Sequence, residues 1–184
     1  MGREDEYQVV ETCRRLSSIG MMPASDGNCS MRLDHKTVLI TPSGVRKEQL
    51  KPQDLVRIQM EENTVSDRAS SEWRMHVAIY QAFGEVKAVV HAHPVHLTAL
   101  GLQDRVPEIS LLYETAETIG KIALIPAEKP GTESFASLVA ESLGEATVGI
   151  LQKHGALAVG GSLEEAMFRL ERAEHLAQVQ FLQS

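Results

Sequence analysis

The run Val86-Lys87-Ala88-Val89-Val90 leads straight into His91-Ala92-His93-Pro94, and this junction constrains the fold more than any other segment. The run has the length and β-branched content of a buried strand. Residues at i and i+2 of a strand share a face, so His91 and His93 are expected side by side where the strand ends. Proline has no N–H and cannot continue a central strand, so pairing stops at Pro94. Two imidazoles so placed have two readings. Either they cap the strand with their own hydrogen bonds, or they form half of a divalent metal site completed from elsewhere.

The rest of the chain alternates irregularly between helical and strand patterns. Tyr7, Val10, Cys13 (or Arg14) and Leu16 predict a helix over about residues 4–20, with Gly20 as its stop. Cys29–Leu33 and Thr37–Thr41 read as a hairpin around Asp34-His35-Lys36, His35 being a solvated turn residue. Leu55–Met60 alternates as a third strand, and Glu61-Glu62-Asn63 reads as the next turn. Trp73, Val77, Ala78 and Tyr80 place a helix between Ser71 and Phe83, and a short helix runs from about Pro94 to Leu100. Ile122–Ile125 is a strand; Phe135, Leu138, Val139 and Leu143 mark a helix ended by Gly144. Val148–Leu151 and Ala156–Val159 are short strands around Gln152-Lys153-His154-Gly155. Ser162 with Glu165 forms a capping box, and Leu163, Met167, Leu170, Ala173, Ala177 and Phe181 trace one face of the last helix. These patterns predict one α/β layered domain over residues 1–184 with a mixed or mainly antiparallel sheet. No G-x-G-x-x-G or G-x-x-x-x-G-K-[ST] is present, which argues against a nucleotide cradle.

Composition narrows the partners. No apolar stretch approaches a membrane span, and the N-terminal segment is too charged for a signal peptide. Glu6 breaks the myristoylation pattern. A formal charge of −7 argues against a nucleic-acid or anionic-membrane partner. An anionic substrate must then be held locally, by a metal ion and backbone N–H groups. Cys13 fits a helix face, whereas Cys29 reads as an accessible loop residue; no C-x-x-C is present, and a reducing, cytoplasmic compartment is expected.

His154 sits where a strand ends and Gly155 lets the chain turn, as at His91 and His93. Three neutral imidazoles would bind a Zn²⁺-class ion and leave a fourth position open. The other histidines have blander readings. His76 reads as a packing or hydrogen-bonding residue. His96 is a satisfied core residue or supports His93 from behind, and His175 is solvated or pairs with Glu171. Glu72 is either an acid favoured by a helix N-terminus or a general base beside the metal. Gly27-Asn28, Thr41-Pro42-Ser43-Gly44 and Ser70-Ser71 carry anion-binding chemistry, though each is also an ordinary turn.

Together and in order, Gly27-Asn28-Cys29-Ser30-Met31-Arg32, Thr41-Pro42-Ser43-Gly44, Ser70-Ser71-Glu72-Trp73-Arg74-Met75-His76, His91-Ala92-His93-Pro94 and Gln152-Lys153-His154-Gly155 closely resemble the class II aldolase/adducin family, from about residue 5 to 182. The resemblance implies a three-layer α/β/α domain around a mainly antiparallel sheet. It also implies a C4 homotetramer with active sites at subunit interfaces. It assigns His91, His93 and His154 as zinc ligands (Mn²⁺ or Co²⁺ also fit) and Glu72 as the catalytic carboxylate. Gly27, Asn28, Ser43, Gly44, Ser70 and Ser71 match its phosphate-binding positions, Ser43 replacing a threonine.

The activity implied is that of a carbon–carbon lyase. It reversibly cleaves a ketose 1-phosphate to dihydroxyacetone phosphate and an aldehyde through a metal-stabilised enediolate. In synthesis Glu72 would take a proton from dihydroxyacetone phosphate, its pKa raised by burial. The alternatives on the same metal site are methylthioribulose-1-phosphate dehydration and pentulose-5-phosphate 4-epimerisation, the latter disfavoured because the epimerases resembling this family have Asp at the position of Glu72. A non-catalytic adducin-like scaffold is a third reading, disfavoured by the complete histidine and glutamate set. Two features depart from the family's aldolases. Leu111 stands where they carry a tyrosine, so Tyr113, two residues on and on the same face of a strand, is the expected proton donor across the interface. The sequence also ends at Ser184, where longer relatives continue into a tail that supplies another tyrosine.

Overall fold

A computed structural model describes residues 2–61 and 65–183. The element order is α1 (Gly2–Ser18), β1 (Asn28–Arg32), β2 (Thr37–Ile40), β3 (Val56–Gln59), α2 (Trp73–Ala82), β4 (Ala88–Ala92), α3 (Val95–Leu102), α4 (Tyr113–Ile119), β5 (Ile122–Ile125), α5 (Glu133–Leu143), β6 (Val148–Leu151), β7 (Gly155–Gly160) and α6 (Leu163–Leu182). The strands form one sheet in the order β3-β2-β1-β4-β7-β6-β5. Every pairing is antiparallel except β5 with β6.

Strand β4 is the centre of the sheet and is buried along its whole length. Its period of two sorts the layers. Ala88, Val90 and Ala92 pack into the core with Val10 and Leu16 of α1, Leu97 of α3 and Leu170 of α6. Val89 points the other way, into the core built with Met75 and Ile79 of α2 and Phe135 and Val139 of α5. The result is the expected three-layer α/β/α arrangement. By the same alternation His91 belongs to the α2 face, and Asn28 lies directly opposite it in the β1–β4 register.

Helix ends follow their caps. The Thr132 hydroxyl accepts from Phe135 N at 3.1 Å at the start of α5. Ser162 does the same for Glu165 N at 3.1 Å, a bond worth about 1 kcal/mol. The capping box closes one residue early, because Glu165 accepts from Gly161 N at 2.6 Å instead of from Ser162 N.

Two sequence expectations need correction. Cys29 is not an accessible loop residue: β1 begins one residue earlier, at Asn28, and the thiol is fully buried with Cys13. Tyr113 is not on a strand. It opens α4, where Thr115 and Ile119 are buried at i and i+4 spacing, so a short helix packs there instead. Gly20 lies just past α1, with φ +78°. Of the expected turn at Glu61-Glu62-Asn63, Glu61 lies in a turn and the other two residues lie outside the described residues. No helix is long and apolar enough to cross a membrane among the described residues.

Candidate functional site

Two segments deliver the histidines to one spot. His91 is the penultimate residue of β4, and His93 lies just beyond the strand, tied by its N–H to Met21 O at 2.8 Å. His154 lies in the tight turn between β6 and β7. Lys153 turns the chain with φ +61°, and His154 N bonds Leu151 O at 3.1 Å. A left-handed non-glycine residue costs about 1–2 kcal/mol, so this turn holds local strain beside the site. Gly155 allows the approach: a Cβ there would sit 2.5 Å from Ala92 O and 2.8 Å from His93 Cδ2. Gly27 combines φ +75° with a Cβ position 2.8 Å from His91 O, so only glycine fits.

One ligand atom from each of His91, His93 and His154 lies within 4.8 Å of the others. His91 Nδ1 donates to Ala156 O at 3.0 Å, which leaves Nε2 to face the cluster. His93 Nδ1 lies 3.4 Å from Asp26 Oδ2, and its Nε2 lies 3.3 Å from His91 Nε2. Nitrogen donors held from behind by a carbonyl and a carboxylate fit a Zn²⁺-class ion. His154 Nδ1 and Glu72 Oε1 are both buried and make no hydrogen bond among the described residues. Buried polar atoms left unpaired in an otherwise satisfied site are what an absent ion or substrate would engage.

Glu72 precedes the first residue of α2 but makes no cap bond to that helix. Its carboxylate turns into the cluster instead, with Oε2 3.2 Å from His91 Nε2 and Oε1 3.5 Å from His154 Nε2. Burial pushes the Glu72 carboxyl up, but the charge of His91, their hydrogen bond, His154 and Asn28 outweigh it and hold it well below the usual carboxylate range. The expectation that burial would raise it is therefore reversed. Burial likewise pushes His91 down, and the Glu72 carboxylate overrides it and raises the imidazole. Burial and then His91 lower His93, and the same causes lower His154 to about 4. Two of the three imidazoles are thus held neutral, the form that ligates metal.

A buried chain supports Glu72 from behind. Asn28 Nδ2 donates to Glu72 Oε2 at 2.8 Å, so Asn28 Oδ1 must accept from His76 Nε2, 2.5 Å away. His76 Nδ1 then accepts from Ser30 Oγ at 2.6 Å, and Ser30 Oγ accepts from the Tyr80 hydroxyl at 2.8 Å. Only this orientation satisfies every group, and all four donors point toward the carboxylate. Both polar atoms of the Asn28 side chain take part in this chain. A readable signal existed: Glu72, His76 and Tyr80 recur at i, i+4 and i+8 on one side of α2, facing Asn28 and Ser30 at i and i+2 of β1.

Burial holds His76 neutral, lowered from 6.5 to about 3. Between those values the unfolded chain binds one more proton, so stability falls as pH drops from 6.5 toward 3. The shift corresponds to an effect on the order of 5 kcal/mol. Metal-free protein is expected to lose melting temperature steeply below pH 6.5, and His76→Gln to lose it less steeply. Parallel melting curves for the two proteins would refute this.

The expected anion loops adjoin the histidines. Gly27, Asn28, Ser43, Gly44, Ser70 and Ser71 border one groove of about 310 Å³ together with Glu72, His93 and His154. Ser70 is buried and its hydroxyl accepts from Glu72 N at 3.3 Å, whereas Ser43, Gly44 and Ser71 face solvent. Tyr113 does not border this groove; its side chain is 91% exposed. His96 Nδ1 is bonded to Glu174 Oε1 at 2.7 Å. His35 and His175 are exposed, and Glu171 pairs with Arg15 at 3.1 Å instead of His175.

The fold is thus an α/β/α sandwich with three histidines gathered at strand ends beside a helix-start glutamate. The family model described as Class II Aldolase and Adducin N-terminal domain matches residues 7–181, and the chain belongs to this family. It is 33% identical over 174 residues to the L-fuculose phosphate aldolase of Escherichia coli (strain K12), covering 94% of this chain and 80% of that protein. A Methanococcus maripaludis protein of the same name is 30% identical over 179 residues, covering 97% of both chains. The crystal structure of L-fuculose-1-phosphate aldolase from Thermus thermophilus superposes with a TM-score of 0.89 at 31% identity, covering 98% of this chain and 95% of that one.

Proposed function

We propose that this protein is a divalent-metal-dependent aldolase that reversibly cleaves a ketose 1-phosphate, of the L-fuculose 1-phosphate type, to dihydroxyacetone phosphate and an aldehyde. The observation that carries this reading is the convergence of three imidazole donors and Glu72 Oε1, which accepts no hydrogen bond among the described residues, beside a groove that Glu72, His93 and His154 share with the serine and glycine loops. His91, His93 and His154 would hold Zn²⁺, with Mn²⁺ or Co²⁺ as substitutes. Such an ion would supply a Lewis acid that polarises the ketose carbonyl.

Glu72 provides the proton chemistry. In the metal-free site the neighbouring histidines favour its carboxylate form, the form able to accept a proton. In synthesis it takes a proton from the hydroxymethyl carbon of dihydroxyacetone phosphate. In cleavage it returns that proton to the same carbon after the C3–C4 bond breaks. Asn28 and His76 fix the carboxylate in place, so little reorganisation is needed. Gly27, Asn28, Ser43, Gly44, Ser70 and Ser71, which border the same groove, would receive the phosphate.

The reading includes a homotetramer with sites at subunit interfaces, in which the exposed Tyr113 serves a neighbour's site as proton donor. Tyr113→Phe is expected to lower turnover by about tenfold or more without moving metal content. Unchanged turnover would remove Tyr113 from the proton path. The reaction itself is tested by a coupled assay for dihydroxyacetone phosphate over a panel of ketose 1-phosphates. Release from none of them, or release of CO₂ from a phosphorylated acid instead, would overturn the proposal.

A further inference from the structure

Lysine is rarely buried without a charged partner. Lys47 is only 1% exposed, and its Nζ donates to two backbone carbonyls, Ser25 O at 2.7 Å and Val45 O at 3.0 Å. No carboxylate pairs with it within salt-bridge distance among the described residues. Two carbonyl dipoles offset only part of the cost of removing an ammonium from water. Nothing in the proton chemistry above uses this residue.

Its position suggests why the cost is tolerated. Ser25 lies two residues before Gly27, and Val45 directly follows Gly44. One ammonium therefore ties together the two loops that bring Gly27 and Gly44 to the groove, and Lys47 borders that groove. The other basic side chains nearby, Arg74 and Lys129, border the adjoining cavity and are not buried, so solvent screens them more. In a chain of net charge −7, a fixed buried cation is the local device an anionic ligand requires.

We propose that Lys47 is the buried cation of the anion site, fixing the two glycine loops against each other and supplying positive charge that a bound phosphate group neutralises. This rests on the reading of the groove as a phosphate site. It makes Lys47 a positioning and specificity residue, not one that takes part in proton transfer. Burial pushes its ammonium toward the neutral form, and an occupying anion opposes that push.

The test is calorimetric titration of inorganic phosphate into the full chain, wild type against Lys47→Met and Lys47→Gln, with thermal melts in the absence of phosphate. Methionine keeps the apolar stem and removes the charge, while glutamine keeps donors for the carbonyls without the charge. Both variants are expected to weaken phosphate binding by at least about tenfold. Without phosphate, Lys47→Met is expected to melt below the wild-type temperature, because Ser25 O and Val45 O lose their donor, and Lys47→Gln closer to it. Phosphate affinity within about threefold of wild type in either folded variant would overturn the proposal and leave Lys47 a structural tie. Wild-type protein that binds no phosphate would instead overturn the phosphate reading of the groove, and this proposal with it.

Discussion

Glu72→Gln is expected to lower the rate of dihydroxyacetone phosphate release by on the order of a thousandfold while the bound metal stays in place. Glutamine matches the shape of glutamate, and its amide oxygen can still accept from Asn28 Nδ2, the bond glutamate makes at 2.8 Å. What it lacks is a site that takes and returns a proton. The three imidazoles are untouched, so metal content holds. Steady-state assays paired with metal analysis on one preparation separate the possibilities. A rate within about tenfold of wild type would remove Glu72 as the base. Loss of metal along with activity would move it into the ligand set.

His154→Ala is expected to weaken zinc affinity by roughly 10²–10³, the share of one ligand in a tetrahedral site. His154 suits this test better than His91, which is fully buried in the central strand and also bonds Ala156 O. His154 stands on a turn, and its Nδ1 makes no hydrogen bond among the described residues, so its loss leaves little else unpaired. The metal-free variant should therefore melt close to metal-free wild type. Competition with a chromophoric chelator measures the affinity. Wild-type affinity in His154→Ala would exclude it as a ligand.

How much of this was legible depended on whether the information was local. The break at His93-Pro94 and the glycine after His154 marked strand ends directly, because proline and glycine act on the backbone where they stand. Strand β5 runs from Ile122 to Ile125 as its apolar run indicated. The state of Glu72 was not legible. Burial was foreseeable, but the net direction depends on His91 and His154, which are distant in sequence and 3.2 and 3.5 Å away in space. Asn28 is a phosphate position by the family resemblance; that its side-chain amide also bonds Glu72 and His76 shows only in the β1–α2 contact. Helix α4 escaped notice because its buried face rests on Thr115 and Ile119, too sparse for a clear period. Lys47 gave no signal, since lysine is ordinarily a surface residue and its burial is set by two loops meeting over it.

The central claim is that one divalent ion on His91, His93 and His154 is required for carbon–carbon cleavage. It is tested most directly by stripping the protein with chelator and titrating zinc back while following dihydroxyacetone phosphate release. Activity is expected to be lost on stripping, to rise in proportion to added zinc and to level off at one ion per chain. Full activity in stripped protein that holds no metal would contradict the account.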